Sequence, residues 1–230
     1  MSAASFAPLT PIAPGAIVSI FGERLAERSS TSTDFPLPAD LAGTQVLLAG
    51  RQIPLLYADE GQVNAMIPYD VAVNTQHQIV VRRGTSATTP EPVTVAPAAP
   101  AVFSTDGTGK GQGHVYIARS GTEQVLADGG NPARAGDVLV IYCAGLGATD
   151  PPVAAGMPAR ADPLAHTATP ITLRIGGVEA EVFFAGPTPG FTGLYQGNAF
   201  LPPGVAPGDA VPVVITVAGQ VSPEVTMAVR

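Results

Sequence analysis

Short apolar runs recur about every eight to fifteen residues along this chain, each bounded by Gly, Pro, Asn or Asp. That rhythm belongs to short strands joined by turns rather than to helices. It predicts strands near 16–21, 44–49, 52–57, 62–67, 77–83 and 91–96 in a first half. In a second half it predicts 114–118, 137–143, 170–175, 178–184, 194–200, 211–217 and 223–229. Val211–Val217 is β-branched almost throughout, which suits a pleated, half-buried surface. Leu48–Ile53 and Ile175–Val178 read as hairpin turns in which glycine supplies positive φ, and Gly219 reads the same way. Glu179 and Glu181 are expected on one strand face.

The pattern also repeats. Pro14-Gly15-Ala16-Ile17-Val18-Ser19-Ile20-Phe21-Gly22 is echoed by Ala135-Gly136-Asp137-Val138-Leu139-Val140-Ile141-Tyr142. Gly43–Gly50 returns as Pro170–Gly177, and Gln62–Pro68 returns within Tyr195–Pro202. Matched blocks in one order, offset by about 120 to 135 residues, imply a duplicated domain. The expected fold class is therefore all-β, with two tandem Ig-like sandwiches, 1–100 with an N-terminal extension and 101–230. Ala96–Phe103 alternates Pro and Ala and is expected to be a semi-rigid spacer between them. Glu27–Asp34 and Gly147–Thr169 read as irregular, exposed segments.

Composition narrows the function classes. The 230 residues contain 26 Gly and 24 Pro, a density that long helices do not tolerate. A net charge of −7, with 11 scattered basic residues, argues against nucleic acid as a partner. No run of 18 apolar residues is present, so no helical membrane span is expected. Cys143 is the sole cysteine, so no intrachain disulfide forms. The low-charge composition without tryptophan resembles a secreted bacterial β protein, and Met1–Phe6 lacks the features of a signal peptide. An exported protein with this start is expected to be a mature or truncated chain.

Several blocks resemble a repeated bacterial extracellular domain family, expanded among acidobacteria and uncharacterised. The resemblance runs through Ile12–Gly22, Gln62–Pro68, Ala144–Gly147, Ala185–Gln196 and Pro203–Asp209. Each half is also similar to the Ig-like IPT/TIG module, whose first strand matches Pro14–Gly22. The family resemblance implies an extracellular or cell-surface setting and no catalytic residues.

The residues themselves offer little reactive chemistry. Asp106–His114 is Gly-rich, but Lys110 precedes glycine and then a strand, unlike a phosphate loop; a flexible interdomain turn is expected there. His77, His114 and His166 stand apart, without metal-ligand spacing. Cys143 lies in an apolar strand, where a thiol packs as a small hydrophobe. No catalytic, cofactor or metal residues are therefore assigned.

The leading expectation is a non-enzymatic extracellular structural protein that self-associates into a homopolymer. Open sandwiches have edge strands that accept another chain's strand. The apolar start of the chain supplies the assembly candidates Ala3, Ala4, Ser5, Phe6 and Leu9. The alternative is an extracellular binding module for polysaccharide or a surface protein. Glycans are candidate partners, although the absence of Trp and the placement of the tyrosines in strands count against sugar stacking. Ser29, Ser30, Thr31, Ser32 and Thr33 are candidate O-glycan sites.

Overall fold

The computed structural model describes residues 1–5, 11–120 and 122–230, and every regular element among them is a strand. The first half contains β1 (Ile17–Phe21), β2 (Ser30–Thr31), β3 (Thr44–Leu48), β4 (Arg51–Ile53) and β5 (Leu55–Ala58). It continues with β6 (Gln62–Met66), β7 (Thr75–Arg83), β8 (Ser86–Ala87) and β9 (Glu91–Val95). One sheet runs β1-β6-β5-β2; the other runs β4-β3-β7, with β8 and β9 both paired to β7. The inward residues of the two sheets, including Val18, Val46, Ile53, Val63 and Val81, meet in one core. Burying each such side chain contributes about 1.5–3 kcal/mol.

The second half contains β10 (Ala101–Val102), β11 (Val115–Ala118), β12 (Gln124–Leu126), β13 (Val138–Ala144), β14 (Thr149–Asp150) and β15 (His166–Thr167). β16 (Ile171–Ile175), β17 (Val178–Ala180), β18 (Val182–Pro187), β19 (Tyr195–Phe200), β20 (Gly208–Val217), β21 (Gln220–Val221) and β22 (Val225–Val229) follow. Its sheets run β12-β11-β13-β19-β18 and β17-β16-β20, the latter with β21 and β22 on β20. Leu139, Ile141, Leu173, Ile215 and Met227 lie in its core.

The two halves superpose in register as well as in order. Ile17 faces Met66 as Val138 faces Phe200, and Val46 faces Val81 as Leu173 faces Ile215. Each has a bulge at the same place, between Leu55 and Tyr57 and between Val182 and Phe184. Each edge is finished alike: Ile12 bridges Val95 in parallel, and Ala133 bridges Val229 in parallel. The chain is thus two tandem Ig-like sandwiches.

Several expectations are corrected in detail. The single strands read at 52–57 and 178–184 are each two strands in opposite sheets, because the chain crosses over at Pro54 and at Glu181. Glu179 and Glu181 therefore do not share a strand face; Glu179 pairs with Arg174 across β16–β17 at 3.1 Å. Ser30 and Thr31 are not irregular but form β2 against Ala58 and Tyr57, while Ser29 and Thr33 are exposed and Ser32 is half-buried. Residues 147–169 contain the β14–β15 hairpin, which packs over β18. The Gly-rich stretch does not link the domains: it is a pinned excursion between β10 and β11. There the Asp106 carboxylate accepts from Ser104, from the Thr108 hydroxyl and from the Thr108 amide.

The stretch 96–103 is not a free spacer either. Ala98, Ala101 and Val102 are buried, and the Ala99 amide donates to Gly145 O at 2.8 Å. A Cβ at Gly145 would overlap the Ala99 carbonyl, so the missing side chain is what lets the two backbones touch. The domains also meet directly. The fully buried Tyr195 donates its hydroxyl to Gly147 O at 2.6 Å and lies against Tyr69 and Gly15 of the first domain. Gly156 lies beside Pro54 and donates to Met66 Sδ, and Gly193 lies against Ile17.

At the start of the chain, Ser2 bridges Val18, the Ala3 amide donates to Ile17 O, and the Ser19 amide donates to Met1 O. Residues 1–4 thus occupy the free edge of β1 in their own domain. Of the assembly candidates, Ala3 lies on this edge, and Ala4 is buried in a small apolar cluster with Ala101 and Ala144. Ser5 lies against Gly109, and Phe6 and Leu9 fall outside the described residues.

Candidate functional site

Strand alternation decides what each sandwich shows to solvent. In β1 the residues Val18 and Ile20 face the core, so Ser19 and Phe21 point outward, Ser19 buried and Phe21 exposed. In β6 the inward Val63 and Ala65 leave Gln62 and Asn64 outward, directly opposite Phe21 and Ser19. The same reading of β13 and β19 places Tyr142 opposite Gln196 and Val140 opposite Asn198 on the outer face of the second domain. Each domain therefore carries an aromatic ring beside a Gln and an Asn at the same register.

In both copies the two amides are joined. Gln62 Nε2 donates to Asn64 Oδ1 at 2.7 Å, and Gln196 Nε2 donates to Asn198 Oδ1 at 3.4 Å. A primary amide has two donors and an acceptor oxygen with two lone pairs, so one such bond leaves capacity on both residues. Ring and amide together form a surface with an apolar part and a polar part.

The second domain surrounds this pair with further aromatic groups. Tyr142 donates to Gln124 Oε1 at 3.1 Å and stands edge-on to Tyr116, with ring centroids 5.7 Å apart. Tyr116 is stacked with His114 and hydrogen-bonded to its Nδ1 at 2.9 Å. These contacts hold the rings in place while leaving them half-exposed. At the other end of the face, the β18 bulge sets Phe183 against Phe200, centroids 5.0 Å apart and both partly exposed. The first domain has no such end, because Met66, at the position of Phe200, is buried beneath Gly156.

In the first domain Phe21 is 49% exposed and opens onto a cleft of about 510 Å³, shared with Arg28, Ser29, Asp59, Glu60 and Gln62. Asp59 Oδ2 accepts from the Tyr57 hydroxyl at 2.6 Å, and Oδ1 accepts from the amides of Gly61 and Gln62. The Tyr57 hydroxyl and these amides hold the Asp59 carboxyl below the usual carboxylate range. Ser29, an O-glycan candidate, donates to the same Tyr57 hydroxyl at 3.3 Å.

The other residues singled out from sequence are placed as follows. Cys143 is fully buried, and burial pushes its thiol far above the ordinary range, so no nucleophile is available there. His77 contacts Ala72 O, and His166 stands edge-on to Phe184. Among the described residues no three His, Cys, Asp or Glu side chains converge on a metal position, and no helix is long and apolar enough to cross a membrane. The exposed phenylalanines were missed in sequence. Five of the seven described Phe residues (Phe21, Phe35, Phe183, Phe191 and Phe200) are 40–56% exposed. Their signal was present: Phe21 is in phase with Ser19, and Phe200 is in phase with Gln196 and Asn198.

No protein-family model matches this chain. No curated protein matches it in sequence. Among solved structures it is similar to SGBP-B of the Bacteroides ovatus mixed-linkage glucan utilization locus, in complex with a mixed-linkage heptasaccharide. That likeness has 15% identity and TM-score 0.40, and it covers 99% of this chain and 46% of that one. It is also similar to the surface glycan-binding protein PbSGBP-B of Prevotella bryantii, at 12% identity and TM-score 0.31, covering 94% and 37%. A tandem of titin domains I9–I11 matches at 10% identity and TM-score 0.24, covering 96% and 62%. The chain spans less than half the length of the first two proteins. The sandwich assignment above rests on strand order and register, not on these low-scoring likenesses.

Proposed function

We propose that this chain is a non-enzymatic, extracellular binding module for neutral polysaccharide, using the outer faces of its sandwiches. One observation carries the reading: Tyr142 stands beside Gln196 and Asn198 on the outer strand face, flanked on that face by Tyr116 and hydrogen-bonded to Gln124. A pyranose ring offers an apolar C–H face for an aromatic ring and hydroxyls for an amide edge, the two parts this surface supplies. Rings already held in place lose little freedom on binding. The net charge of −7 and the scattered basic residues disfavour a polyanionic ligand.

An open face without a deep pocket buries little of its ligand, so affinities of about 1 μM to 1 mM are expected for short glycans. Assembly through residues 1–10 gains no support from the fold, since residues 1–4 already pair with β1 of the same chain. Affinity electrophoresis and calorimetry with soluble mixed-linkage β-glucan, xyloglucan, arabinoxylan and galactomannan test the proposal. Binding to at least one of these, clearly weakened by Tyr142→Ala with unchanged circular dichroism, is expected. An affinity left unchanged by both Tyr142→Ala and Gln196→Ala would show that this face is not a site.

A further inference from the structure

The aromatic–amide pair occurs twice, once in each domain, at the same register. The core of a duplicated sandwich constrains inward positions, and some outward positions differ between the two copies. On the matched outer faces Ser19 stands where Val140 does and Met66 where Phe200 does, while a second aromatic pair, Tyr57 and Phe184, faces the two asparagines. Against that divergence, Gln62 and Gln196 are identical, Asn64 and Asn198 are identical, and the ring opposite the glutamine is aromatic in both, Phe21 and Tyr142. The Gln-to-Asn hydrogen bond is kept as well.

Resting on the glycan-binding reading, we infer that the first domain holds a second neutral-glycan site at Phe21, Gln62 and Asn64. One polysaccharide chain engages both domains at once. The first site adds its own recognition groups: Phe21 borders the cleft that also contains Arg28, Ser29 and Asp59. The two sites do not swing independently, because Tyr195 is seated between Gly15, Tyr69 and Gly147, and Leu37 donates to Gly156 O at 2.9 Å across the junction. Once a polymer binds one domain, the second contact is intramolecular, at an effective concentration set by the polymer between the sites. Linked sites of this kind exceed either single affinity by about 10²–10⁴-fold when the geometry allows both.

The experiment is calorimetry on the full chain and on the variants Phe21→Ala, Tyr142→Ala and the double variant. Two probes are used: whichever of the four polysaccharides binds the parent most tightly, and a hexasaccharide cut from it. The expected result is two hexasaccharides per chain, and polymer affinity at least 100-fold above hexasaccharide affinity. Each single variant should take one hexasaccharide and lose at least 10-fold in polymer affinity, and the double variant should bind neither probe. Gln62→Ala serves as a second first-domain variant and should reproduce Phe21→Ala. If Phe21→Ala and Gln62→Ala bind like the parent while Tyr142→Ala abolishes binding, the two-site inference fails and the binding reading stands. Two hexasaccharides per chain with no polymer advantage would overturn engagement of one polymer by both sites. A parent that binds none of the four polysaccharides would overturn both.

Discussion

Gly15 and Gly136 occupy the same position in the two domains, which makes them a matched test of the interdomain junction. The Gly15 amide donates to Ile67 O at 2.9 Å, and the Gly136 amide donates to Leu201 O at 2.9 Å. Both have φ in the left-handed region, +76° and +87°. An alanine at either site therefore incurs the same backbone penalty of about 1–2 kcal/mol. Their surroundings differ. A Cβ on Gly136 would meet nothing within 4 Å, whereas on Gly15 it would overlap the Tyr195 hydroxyl and stand 2.5 Å from Tyr69 Cε1. Tyr195 could move aside only by giving up its 2.6 Å bond to Gly147 O, leaving a buried acceptor unpaired at a cost of about 1–3 kcal/mol. Gly136→Ala is thus expected to destabilise by about 1–2 kcal/mol and Gly15→Ala by about 2–5 kcal/mol. Urea unfolding followed by circular dichroism and tyrosine fluorescence measures both, with a test for separate domain transitions, since two domains need not unfold as one. Gly15→Ala should also separate the transitions. Equal losses for the two variants, within about 0.5 kcal/mol, would refute the docked junction.

Two further outcomes follow from buried hydrogen-bonding groups. Burial raises the Tyr69 and Tyr195 hydroxyls above the ordinary tyrosine value of 10.0, and the folded chain then binds more protons than the unfolded chain at high pH. Stability should therefore be intact below about pH 10 and fall as pH rises above it, by up to about 1.4 kcal/mol per pH unit for each tyrosine; a urea midpoint unchanged between pH 9 and 11 would contradict this. In the second sheet of each domain the same device recurs, with Ser222 Oγ accepting from the Ile215 amide and Thr88 Oγ1 from the Val81 amide. Ser222 is buried and Thr88 exposed, so Ser222→Ala should cost about 1–3 kcal/mol while water replaces the lost acceptor in Thr88→Ala, at under about 1 kcal/mol; equal costs in denaturant titrations would show that burial does not decide the matter.

Most of the long strands were legible because inward and outward positions alternate and glycines mark the turns. The Ala49-Gly50 and Gly176-Gly177 hairpins, with positive φ at all four residues, are where the pattern placed them. The sheet crossings were not legible. Alternation runs straight through Pro54 and Glu181, and nothing in residue type states that the hydrogen-bonding partner changes from one sheet to the other. The junction was hidden for a related reason. Pro and Ala at 97–100 look like an exposed tether, and only the proximity of Gly145, distant in sequence, makes them interior.

The outward rings were legible too, since Phe21 and Tyr142 fall in phase with outward positions of their strands, and Phe stacks on a sugar as Trp and Tyr do. An aromatic ring that stays exposed at an outward position does so at a cost in solubility. Such a ring in one domain is an ordinary surface residue. The same ring class at the same register in two domains, each time opposite a glutamine that bonds the next asparagine, is a surface that both copies share. Duplication thus separates what the sandwich needs from what it presents: the matched core explains the fold, and the proposed glycan binding rests on the matched outward residues Phe21, Gln62 and Asn64 with Tyr142, Gln196 and Asn198.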